Sequence, residues 1–450
     1  MMKITIPPYV RRCMETLTAF GYSAHLVGGC VRDSLMGRQP SDWDICTSAL
    51  PEQVIAAFPN HKVLPTGIGH GTVTLMEQGN PLEITTLRRD GDYLNHRHPQ
   101  TVEFTRSLKE DLARRDFTVN AMAYAPHEGL TDPFGGAEDL KAGILRCVGH
   151  PLQRFDEDAL RILRLVRFAS QLSFQPEPET LAAASQLAPL LQKVSGERIS
   201  AELNRLLLGE DVFYALCLAA DYRILEAIIP EIAFCIGMEQ EESFHSLDRH
   251  LFAAVAAAPL RLEIRLAALL HDIGKPKAFE QRQEGRGGCD NHAAISAAYA
   301  AAILKRLRYP NHLAKRVELL IRQHMIQLPA HKASLRRLCA EWGSDVVQDL
   351  IAVKGANSLA KAPPRPCEVE QCDVSAKLLD EILAAKDPLS VKDLAVGGRE
   401  LLDLGVPGGP MVGQMLRSLL ELVLDRPERN QKETLLKEAE HLWRQYQNGA

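Results

Sequence analysis

The chain has 450 residues, 46% of them hydrophobic, and a formal net charge of −5. This length predicts two to four domains rather than one core. The mild acidity means that any nucleic-acid binding must come from local basic patches. Since no apolar run could span a membrane and the first residues lack a signal-peptide core, we expect a cytoplasmic protein without membrane contacts. The ten cysteines form no Cys-x-x-Cys pair, which predicts reduced, mostly buried thiols and argues against a zinc ribbon.

A glycine turn near the start of the chain has the pattern of a phosphate-binding loop. A predicted buried strand ends at Val27, and Gly28 and Gly29 then lead into a predicted short helix over 30–36. The N–H groups that begin a helix have no partner within it and can bind phosphate. Arg32, in the first turn of that helix, would add a fixed cation.

Two aspartates follow this helix. Asp42 and Asp44 would point to one side of a strand, where Mg²⁺ bridging a triphosphate could bind. Period-two alternation predicts further strands over 71–76 and 82–88, joined by a hairpin turn. Glu83 would be either a third carboxylate or a solvated strand residue. The glycine turn and the Asp pair, joined within about 20 residues, favour nucleotidyl transfer over an ordinary surface loop.

Two further segments extend this candidate site. Residues 89–101 lack periodicity and predict a loop, which could act as a lid or a lever beside the active-site strand. Further on, Arg115 can contact phosphate, while Asp116 and Asn120 can hydrogen-bond ribose hydroxyls. A helix with a charged start is the alternative for this stretch.

The chain then becomes helical almost to its end. A continuous helix is predicted over 155–168, with Asp158, Arg161, Arg164 and Arg167 forming a spiralling stripe. One interpretation is a salt-bridged surface helix. The other is that Asp158 and Arg161 read the Watson–Crick edge of a base. The carboxylate would accept from the amine of cytosine or adenine, and the guanidinium would donate to the ring acceptor beside it.

Histidines become dense in the second half of the chain. An adjacent His-Asp pair, with other histidines before and after it at helix-length spacing, is typical of metal ligation. Any one of these histidines could instead be a surface or capping residue. The candidate ligands are His250, His271, Asp272, His292 and His324.

These motifs together resemble the class II tRNA nucleotidyltransferases, a family that includes CCA-adding enzymes and bacterial poly(A) polymerases. The stretches that carry the resemblance are 28–33, 42–44, 114–122, 132–136 and 157–161. The resemblance implies an α+β fold that begins with a polymerase-β-like nucleotidyltransferase head, a mixed sheet with helices. It divides the chain into this head over 1–150, a helical base-selecting and RNA-binding neck over 151–235, an HD-like helical domain over 236–362 and a tRNA-binding helical tail over 363–450.

The resemblance also implies an activity. It predicts template-independent addition of CCA to the 3′ end of tRNA from CTP and ATP, by two-metal nucleotidyl transfer that releases diphosphate. DNA is not an expected partner. The loop over 89–101 would help switch the enzyme from CTP to ATP. The implied roles are Mg²⁺ on Asp42 and Asp44, triphosphate on Gly29 and Arg32, sugar near Arg115, Asp116 and Asn120, and base selection by Asp158 and Arg161 with Arg164 and Arg167 nearby.

The second half resembles an HD domain, which implies a second divalent metal. Asn357 stands where the HD pattern has its late Asp, which argues against phosphohydrolase activity. Two alternative functions stay open: a poly(A) polymerase, disfavoured by the lack of a basic extension, and an HD phosphohydrolase whose head only binds RNA or nucleotides. The sequence does not determine whether this chain adds both CC and A, which metal the HD domain holds, or the oligomeric state.

Overall fold

The computed structural model describes residues 4–64, 67–91, 93–94, 98–99, 102–240, 245–283, 291–363 and 365–449. Two compact units divide the chain, Met1–Pro230 and Glu231–Ala450. Within the described ranges, no helix combines the length and the apolar character needed to cross a membrane. The helices of the first unit are α1 (Pro8–Ala19), α2 (Gly29–Leu35), α3 (Pro51–Ala57), α4 (Leu108–Ala113), α5 (Gly136–Ala142), α6 (Pro151–Glu157), α7 (Leu160–Leu172), α8 (Pro178–Leu187), α9 (Gly196–Leu207), α10 (Val212–Asp221) and α11 (Ile224–Ile228).

All described strands lie in the first unit. They are β1 (Ala24–Val27), β2 (Asp44–Thr47), β3 (Lys62–Leu64), β4 (Thr72–Glu77), β5 (Asn80–Thr86), β6 (Arg88–Asp90), β7 (Tyr93–Leu94), β8 (His98–Pro99), β9 (Val102–Phe104), β10 (Ala123–Ala125), β11 (Gly129–Thr131), β12 (Ile144–Leu145) and β13 (Gln175–Pro176). Seven of them form one sheet in the order β11-β10-β1-β2-β5-β4-β3. β2 and β5 run parallel and their neighbours antiparallel, so the head contains the mixed sheet that was predicted.

Side-chain periodicity explains why these residues form a sheet covered by helices. Alternate residues of β4 are buried, as expected for a strand with one face on the core. The predicted turn between β4 and β5 is present, with Gln78 and Gly79 both at positive φ. Helix α1 buries Val10, Met14 and Leu17 on the same core, at the spacing of one helix face.

The segment predicted as an aperiodic loop over 89–101 contains regular structure. β6 pairs with β9 and β7 with β8, each antiparallel, so this segment is built on short two-stranded ribbons. Gly71, at φ +81°, makes room for the ribbon, since a Cβ there would lie 2.7 Å from the ring of Phe104. Residues 92, 95–97 and 100–101 of the predicted loop lie outside the described residues.

A glycine motif fixes the segment that carries Asn120. The Asp132 carboxylate accepts hydrogen bonds from the N–H groups of Gly136 and Ala137, both at 2.8 Å, and so caps α5. A Cβ on Gly136 would lie 2.2 Å from the carbonyl oxygen of Thr118. Only glycine therefore lets α5 approach the turn over 118–120 this closely.

The continuous helix predicted over 155–168 is wrong. Helix α6 ends at Glu157 and α7 begins at Leu160, with Asp158 in an extended conformation between them. The Asp158 carboxylate accepts a hydrogen bond from the N–H of Leu160 at 3.1 Å. An Asp side chain that bonds the backbone in this way competes with the helical hydrogen bond, which explains the break.

The second unit is helical throughout its described residues. Two of its buried clusters lie toward the end of the chain. One is shared by α17 (Lys332–Trp342), α18 (Ser344–Leu359) and α19 (Pro366–Ala384). The other is shared by α20 (Gly398–Asp403), α21 (Pro410–Asp425) and α22 (Lys432–Gly449). The predicted boundary at 362 thus falls between α18 and α19, two helices of one cluster, and the four-part division stays a prediction. The helices are α12 (Leu247–Ala257), α13 (Leu262–Leu270), α14 (Lys275–Gln283), α15 (His292–Arg306), α16 (Asn311–Gln323), α17 (Lys332–Trp342), α18 (Ser344–Leu359), α19 (Pro366–Ala384), α20 (Gly398–Asp403), α21 (Pro410–Asp425) and α22 (Lys432–Gly449).

Candidate active site

A cleft of about 840 Å³ lies within the first unit. Among the residues that the structure describes, its wall contains nine arginines and six carboxylates, and no lysine. Apart from Glu83, every residue that the sequence nominated for this unit is among the described residues that line the same cleft, although these positions span more than a hundred residues of sequence. These residues are Gly29, Arg32, Asp42, Asp44, Arg115, Asp116, Asn120, Asp158, Arg161, Arg164 and Arg167.

Three carboxylates gather at one edge of the sheet. Asp44 begins β2, whereas Asp42 lies just before the strand, so the two do not share the strand that was expected. Glu83 is the register partner of Asp44 across the parallel β2–β5 pair, which places both side chains on one face. Burial and the charges of Asp42 and Glu83 raise the pKa of Asp44 to about 6, while Arg115 lowers it. Such mutual repulsion would be relieved by a divalent cation, and oxygen ligands suit Mg²⁺.

The glycine turn receives an arginine. Gly28 has φ +75°, and a Cβ there would lie 2.7 Å from Nη1 of Arg115. The Arg115 guanidinium also lies 3.6 Å from Asp111 and donates to the backbone oxygen of Asn120 at 3.5 Å. Arg115 therefore places a cation beside the start of α2, where the sequence predicted a phosphate.

Asp116 is the most tightly held carboxylate of the cleft. Its Oδ2 accepts from Nε of Arg164 at 2.7 Å, and its Oδ1 accepts from the N–H of Phe117 at 2.8 Å and from Asn120 at 3.0 Å. Burial alone would raise the pKa of Asp116, but the charge of Arg164 and these hydrogen bonds outweigh burial and hold the pKa far below its usual range. Asp116 is therefore a fixed anion.

One aromatic ring organises three of the arginines. The guanidinium carbons of Arg32, Arg164 and Arg167 lie 5.1, 5.5 and 3.9 Å from the ring centroid of Phe168, within cation–π range. Arg32 also donates to Asn120 at 2.7 Å. The sequence did not single out Phe168, because an aromatic residue on a helix usually signals core packing.

The arginines of α7 are close enough to affect one another. Burial and the charge of Arg164 lower the pKa of Arg167 to about 10, although Arg167 pairs with the buried Glu202 of α9 at 3.0 Å. An anion that binds between clustered guanidinium groups relieves their electrostatic repulsion, and their planar donor edges match phosphate oxygens. This wall of the cleft is thus suited to a polyphosphate.

Asp158 and Arg161 do not form the surface ion pair that was one of the two interpretations. Asp158 accepts from Nη2 of Arg198 on α9 at 2.8 Å. Arg161 instead donates to Glu157 at 2.6 Å and to the backbone oxygen of Arg114 at 3.0 Å. Both side chains line the cleft, each held by a different partner.

The partners of these two residues were missed by sequence reasoning. Glu157 lies in the motif over 157–161, but it was not nominated, because the predicted stripe on the helix begins at Asp158. Arg198 lies 40 residues after Asp158, in a stretch that was predicted only to be helical. Arg198 precedes Glu202 by four residues, which is the one local pattern that could have indicated a functional pair. That spacing is equally typical of a surface ion pair.

A second cluster lies in the second unit and is buried. The five nominated residues converge on Asp272, whose Oδ2 lies 3.3 Å from Nε2 of His271 and 3.8 Å from Nε2 of His250. Its Oδ1 lies 3.3 Å from Nε2 of His292 and 3.4 Å from Nε2 of His324. The described part of the chain therefore holds two His/Asp groups that could bind a metal ion, with Asp272 common to both.

Hydrogen bonds orient these imidazoles. Nδ1 of His271 lies 2.8 Å from the Ala268 oxygen, and Nδ1 of His324 lies 2.7 Å from the Ile321 oxygen. Each Nδ1 donates to its carbonyl, so Nε2 is the ring nitrogen that faces Asp272. Burial lowers the pKa of His324, and burial with the charge of His271 lowers that of His250 to about 4, so both rings are neutral at pH 7. Neutral rings around one carboxylate suit a divalent metal.

Two further residues bear on this cluster. Lys275, which the sequence did not nominate, places Nζ 2.7 Å from Asp272 Oδ2 and so supplies a cation at one side of the carboxylate. Asn357 lies on α18, one turn before Ala360, whose oxygen is 3.4 Å from Nδ1 of His250. Its own Oδ1 is buried without a hydrogen-bond partner among the described residues.

Known proteins resemble this chain along almost its full length. Three family profiles match: "Poly A polymerase head domain" over 24–146, "Probable RNA and SrmB-binding site of polymerase A" over 173–235, and "HD domain" over 245–369. The CCA-adding enzyme of Anoxybacillus flavithermus is 35% identical over 434 residues, covering 94% of each chain. That of Geobacillus kaustophilus is 46% identical over 320 residues, covering 66% of this chain and 78% of the relative.

Solved structures give the same result. The Bacillus stearothermophilus CCA-adding enzyme in complex with CTP aligns with a TM-score of 0.74 at 29% identity, covering 99% of this chain and 100% of that one. The Thermotoga maritima CCA-adding enzyme complexed with tRNA has a TM-score of 0.56 at 19% identity, covering 97% of this chain and 99% of that one, and shows the shared fold alone.

The Asp116–Arg164 pair allows a stability prediction. We expect Arg164→Ala to lower the free energy of unfolding by about 2 kcal/mol at pH 7, because it leaves a buried carboxylate unpaired; the loss is smaller than for a fully buried pair because the Arg164 side chain is 32% exposed. Since the pKa of Asp116 is lowered in the folded state, the pair stabilises the fold above the ordinary Asp pKa, and this contribution is lost as the pH falls below it.

Urea unfolding at pH 7 and pH 3 measures both effects. Arg38→Ala is the control, because Arg38 reaches the exposed Glu210 at 3.4 Å and should change stability by less than about 0.5 kcal/mol. Adding Asp116→Asn to Arg164→Ala should recover part of the loss. Equal unfolding curves for wild type and Arg164→Ala would contradict the assignment.

Proposed function

This chain belongs to the family of CCA-adding enzymes, and on that basis we propose that it adds C, C and A to the 3′ end of tRNA from CTP and ATP, releasing diphosphate. The observation that carries the proposal is that one cleft is lined by three kinds of group. These are the aspartates Asp42 and Asp44, the arginines, and the Asp158 and Arg161 side chains. Metal, phosphate and base can be held there together, which is what nucleotidyl transfer needs.

Asp42 and Asp44 hold Mg²⁺ in this proposal, with Glu83 beside them. The raised pKa of Asp44 supports a cation there. When bound, Mg²⁺ supplies charge neutralisation of the triphosphate and lowers the pKa of the attacking 3′-hydroxyl. The chain's own contribution is to hold these carboxylates at the start of β2, at the edge of the cleft.

The arginines and the Asn120 region bind the rest of the nucleotide. Arg32 and the N–H groups at Gly29 face the triphosphate, and Arg115 reaches the same turn. Asp116 and Asn120, which already bond each other at 3.0 Å, accept and donate to the ribose hydroxyls. Because Asp116 is locked by Arg164, the sugar would meet a preorganised acceptor.

Asp158 and Arg161 choose the base. Each Asp158 oxygen accepts one hydrogen bond from the protein and keeps a lone pair for the amine of cytosine or adenine. Arg161 donates to the ring acceptor beside that amine, with Arg164 and Arg167 next to it. The loop over 89–101 assists the change from CTP to ATP. The neck and tail bind tRNA, and the enzyme acts in the cytoplasm without DNA or membrane partners.

The histidine cluster holds a second divalent metal. Its ligands are His250, His271, Asp272, His292 and His324. The two carbonyl-bonded rings and the low pKa of His250 support a metal rather than a proton at the centre. Asn357, in place of a carboxylate, removes one anionic ligand, and we assign the cluster a metal without assigning it phosphohydrolase activity.

One assay separates this function from its alternatives. Purified protein with Mg²⁺ is incubated with tRNA lacking its 3′ end and with one nucleotide at a time. A CCA-adding enzyme incorporates CTP first and ATP only after two C residues. A poly(A) polymerase adds repeated A, and a phosphohydrolase with a binding head adds nothing.

Substitution of either aspartate should abolish both steps. Asp42→Ala and Asp44→Ala each remove a proposed metal ligand, so incorporation of CTP and of ATP should fall at least about a hundredfold, with unchanged thermal unfolding. Since a proton and a cation compete for Asp44, wild-type activity at limiting Mg²⁺ should fall as the pH drops below about 6. Near-normal activity in either variant would exclude this metal site.

Base choice should depend on Asp158. Asp158→Ala should relax discrimination against UTP and GTP by about tenfold or more, and slow CTP and ATP incorporation less than that. Arg161→Ala should weaken CTP and ATP alike. Single-nucleotide incorporation of all four NTPs measures the ratios, and ratios equal to those of wild type would contradict the role given to Asp158.

Metal binding by the histidine cluster can be measured apart from the head. In an Asp42→Ala background, which disables the head site, Mn²⁺ titration by calorimetry should still show a binding event. Adding Asp272→Ala should remove it, because that carboxylate contacts both histidine pairs. An unchanged titration in the double variant would mean that the cluster binds no metal.

A further inference from the structure

Helix α9 contributes to the cleft although it lies outside the motifs that define the active site. Arg198, Glu202 and Arg205 lie on this helix at spacings that place them along one side. Arg198 and Arg205 line the cleft, and Glu202 pairs with Arg167. Helix α9 therefore forms part of the cleft wall, although it begins at Gly196, 35 residues after the end of the last nominated motif at 157–161.

Two hydrogen bonds hold the Asp158 carboxylate. The residue lies in the short link between α6 and α7, where its backbone is extended and its backbone oxygen accepts from the N–H of Arg161 at 3.0 Å. Its Oδ1 receives the N–H of Leu160 at 3.1 Å, and its Oδ2 receives Nη2 of Arg198 at 2.8 Å. The second bond is charge-assisted, and so the stronger of the two.

Arg198 itself stands on a rigid base. Helix α9 is tied to α7 by the buried Arg167–Glu202 pair at 3.0 Å and by the Ser170 hydroxyl, which donates to the Leu206 oxygen at 2.7 Å. The bond from Arg198 to Asp158 uses only Nη2, and Nη1 is buried without a hydrogen-bond partner among the described residues. Among the hydrogen bonds described, the Arg198 guanidinium therefore donates to Asp158 and does not belong to a larger network of surface ion pairs.

We propose that Arg198 is a positioning residue for base choice: it orients the Asp158 carboxylate so that a lone pair faces the nucleobase amine. This inference rests on the proposed base-selecting role of Asp158. Without Arg198, the carboxylate is free to turn about its χ angles and can meet other bases through other rotamers. Selectivity then falls, although no group that touches the nucleotide has been removed.

The test measures nucleotide selectivity rather than activity alone. In the full-length protein, kcat/KM for CTP and UTP is determined on tRNA lacking its 3′ end, and for ATP and GTP on tRNA ending in CC. Arg198→Ala should lower the CTP/UTP and ATP/GTP ratios by about tenfold, the size expected for losing one well-oriented polar contact. Arg198→Lys keeps the charge and one donor, and should recover most of the ratio.

Two controls isolate the mechanism. Arg205→Ala removes the same charge from the same helix and cleft wall without touching Asp158, so the ratios should match wild type whatever happens to nucleotide affinity. In an Asp158→Ala background, adding Arg198→Ala should lower the ratios no further, because Arg198 acts through Asp158.

The outcomes are distinct. If Arg198→Ala keeps wild-type ratios while Asp158→Ala relaxes them, the positioning role is wrong and the proposed function stands. If Asp158→Ala also keeps them, the base-selecting role of Asp158 fails with it. Additive losses in the double variant, or an Arg198→Lys ratio no better than that of Arg198→Ala, would likewise overturn the proposal. Thermal unfolding of each variant verifies that it is folded.

Discussion

The candidate active site depends on the ion pair between the buried Asp116 and the partly exposed Arg164. These residues are 48 positions apart and belong to segments of different character, a turn beside the sheet and helix α7. Their hydrogen bonds hold the Asn120 turn against α7. Arg164 in turn lies over Phe168, the ring shared by Arg32 and Arg167. The Asp116 carboxylate thus joins the Asn120 turn to the arginines of the cleft.

Most charged side chains of the cleft that the structure describes are paired with a group of opposite charge. Asp158, Arg161 and Arg167 each have a partner of opposite sign, so a guanidinium-rich wall can be partly buried without unfolding the protein. Asp44 differs. Burial and the charges of Asp42 and Glu83 raise its pKa to about 6, and Arg115 lowers the pKa by less than these raise it. Paired side chains are held in fixed orientations, whereas carboxylates that repel one another would be stabilised by a bound cation.

The histidine cluster of the second unit uses a different arrangement. Backbone carbonyls orient His271 and His324, and burial lowers the pKa values of His250 and His324. Asp272 lies beside the Lys275 ammonium, and Nε2 of His250 lies 3.3 Å from Nε2 of His271. A buried group of imidazole nitrogens around one carboxylate is an arrangement that could bind a divalent metal.

The sequence by itself predicted four strands of the sheet (β1, β2, β4 and β5), the helical character of the rest of the chain and eleven of the residues that line the cleft, because periodicity and glycine turns act locally and chemically unusual residues stand out. It failed at Asp158, where a side-chain hydrogen bond to the Leu160 N–H breaks a helix that the pattern continues. Tertiary structure alone decided which charge pairs with which. Arg198 reaches Asp158 across 40 residues of chain, and the distance between two such groups depends on how helices pack rather than on their spacing in sequence.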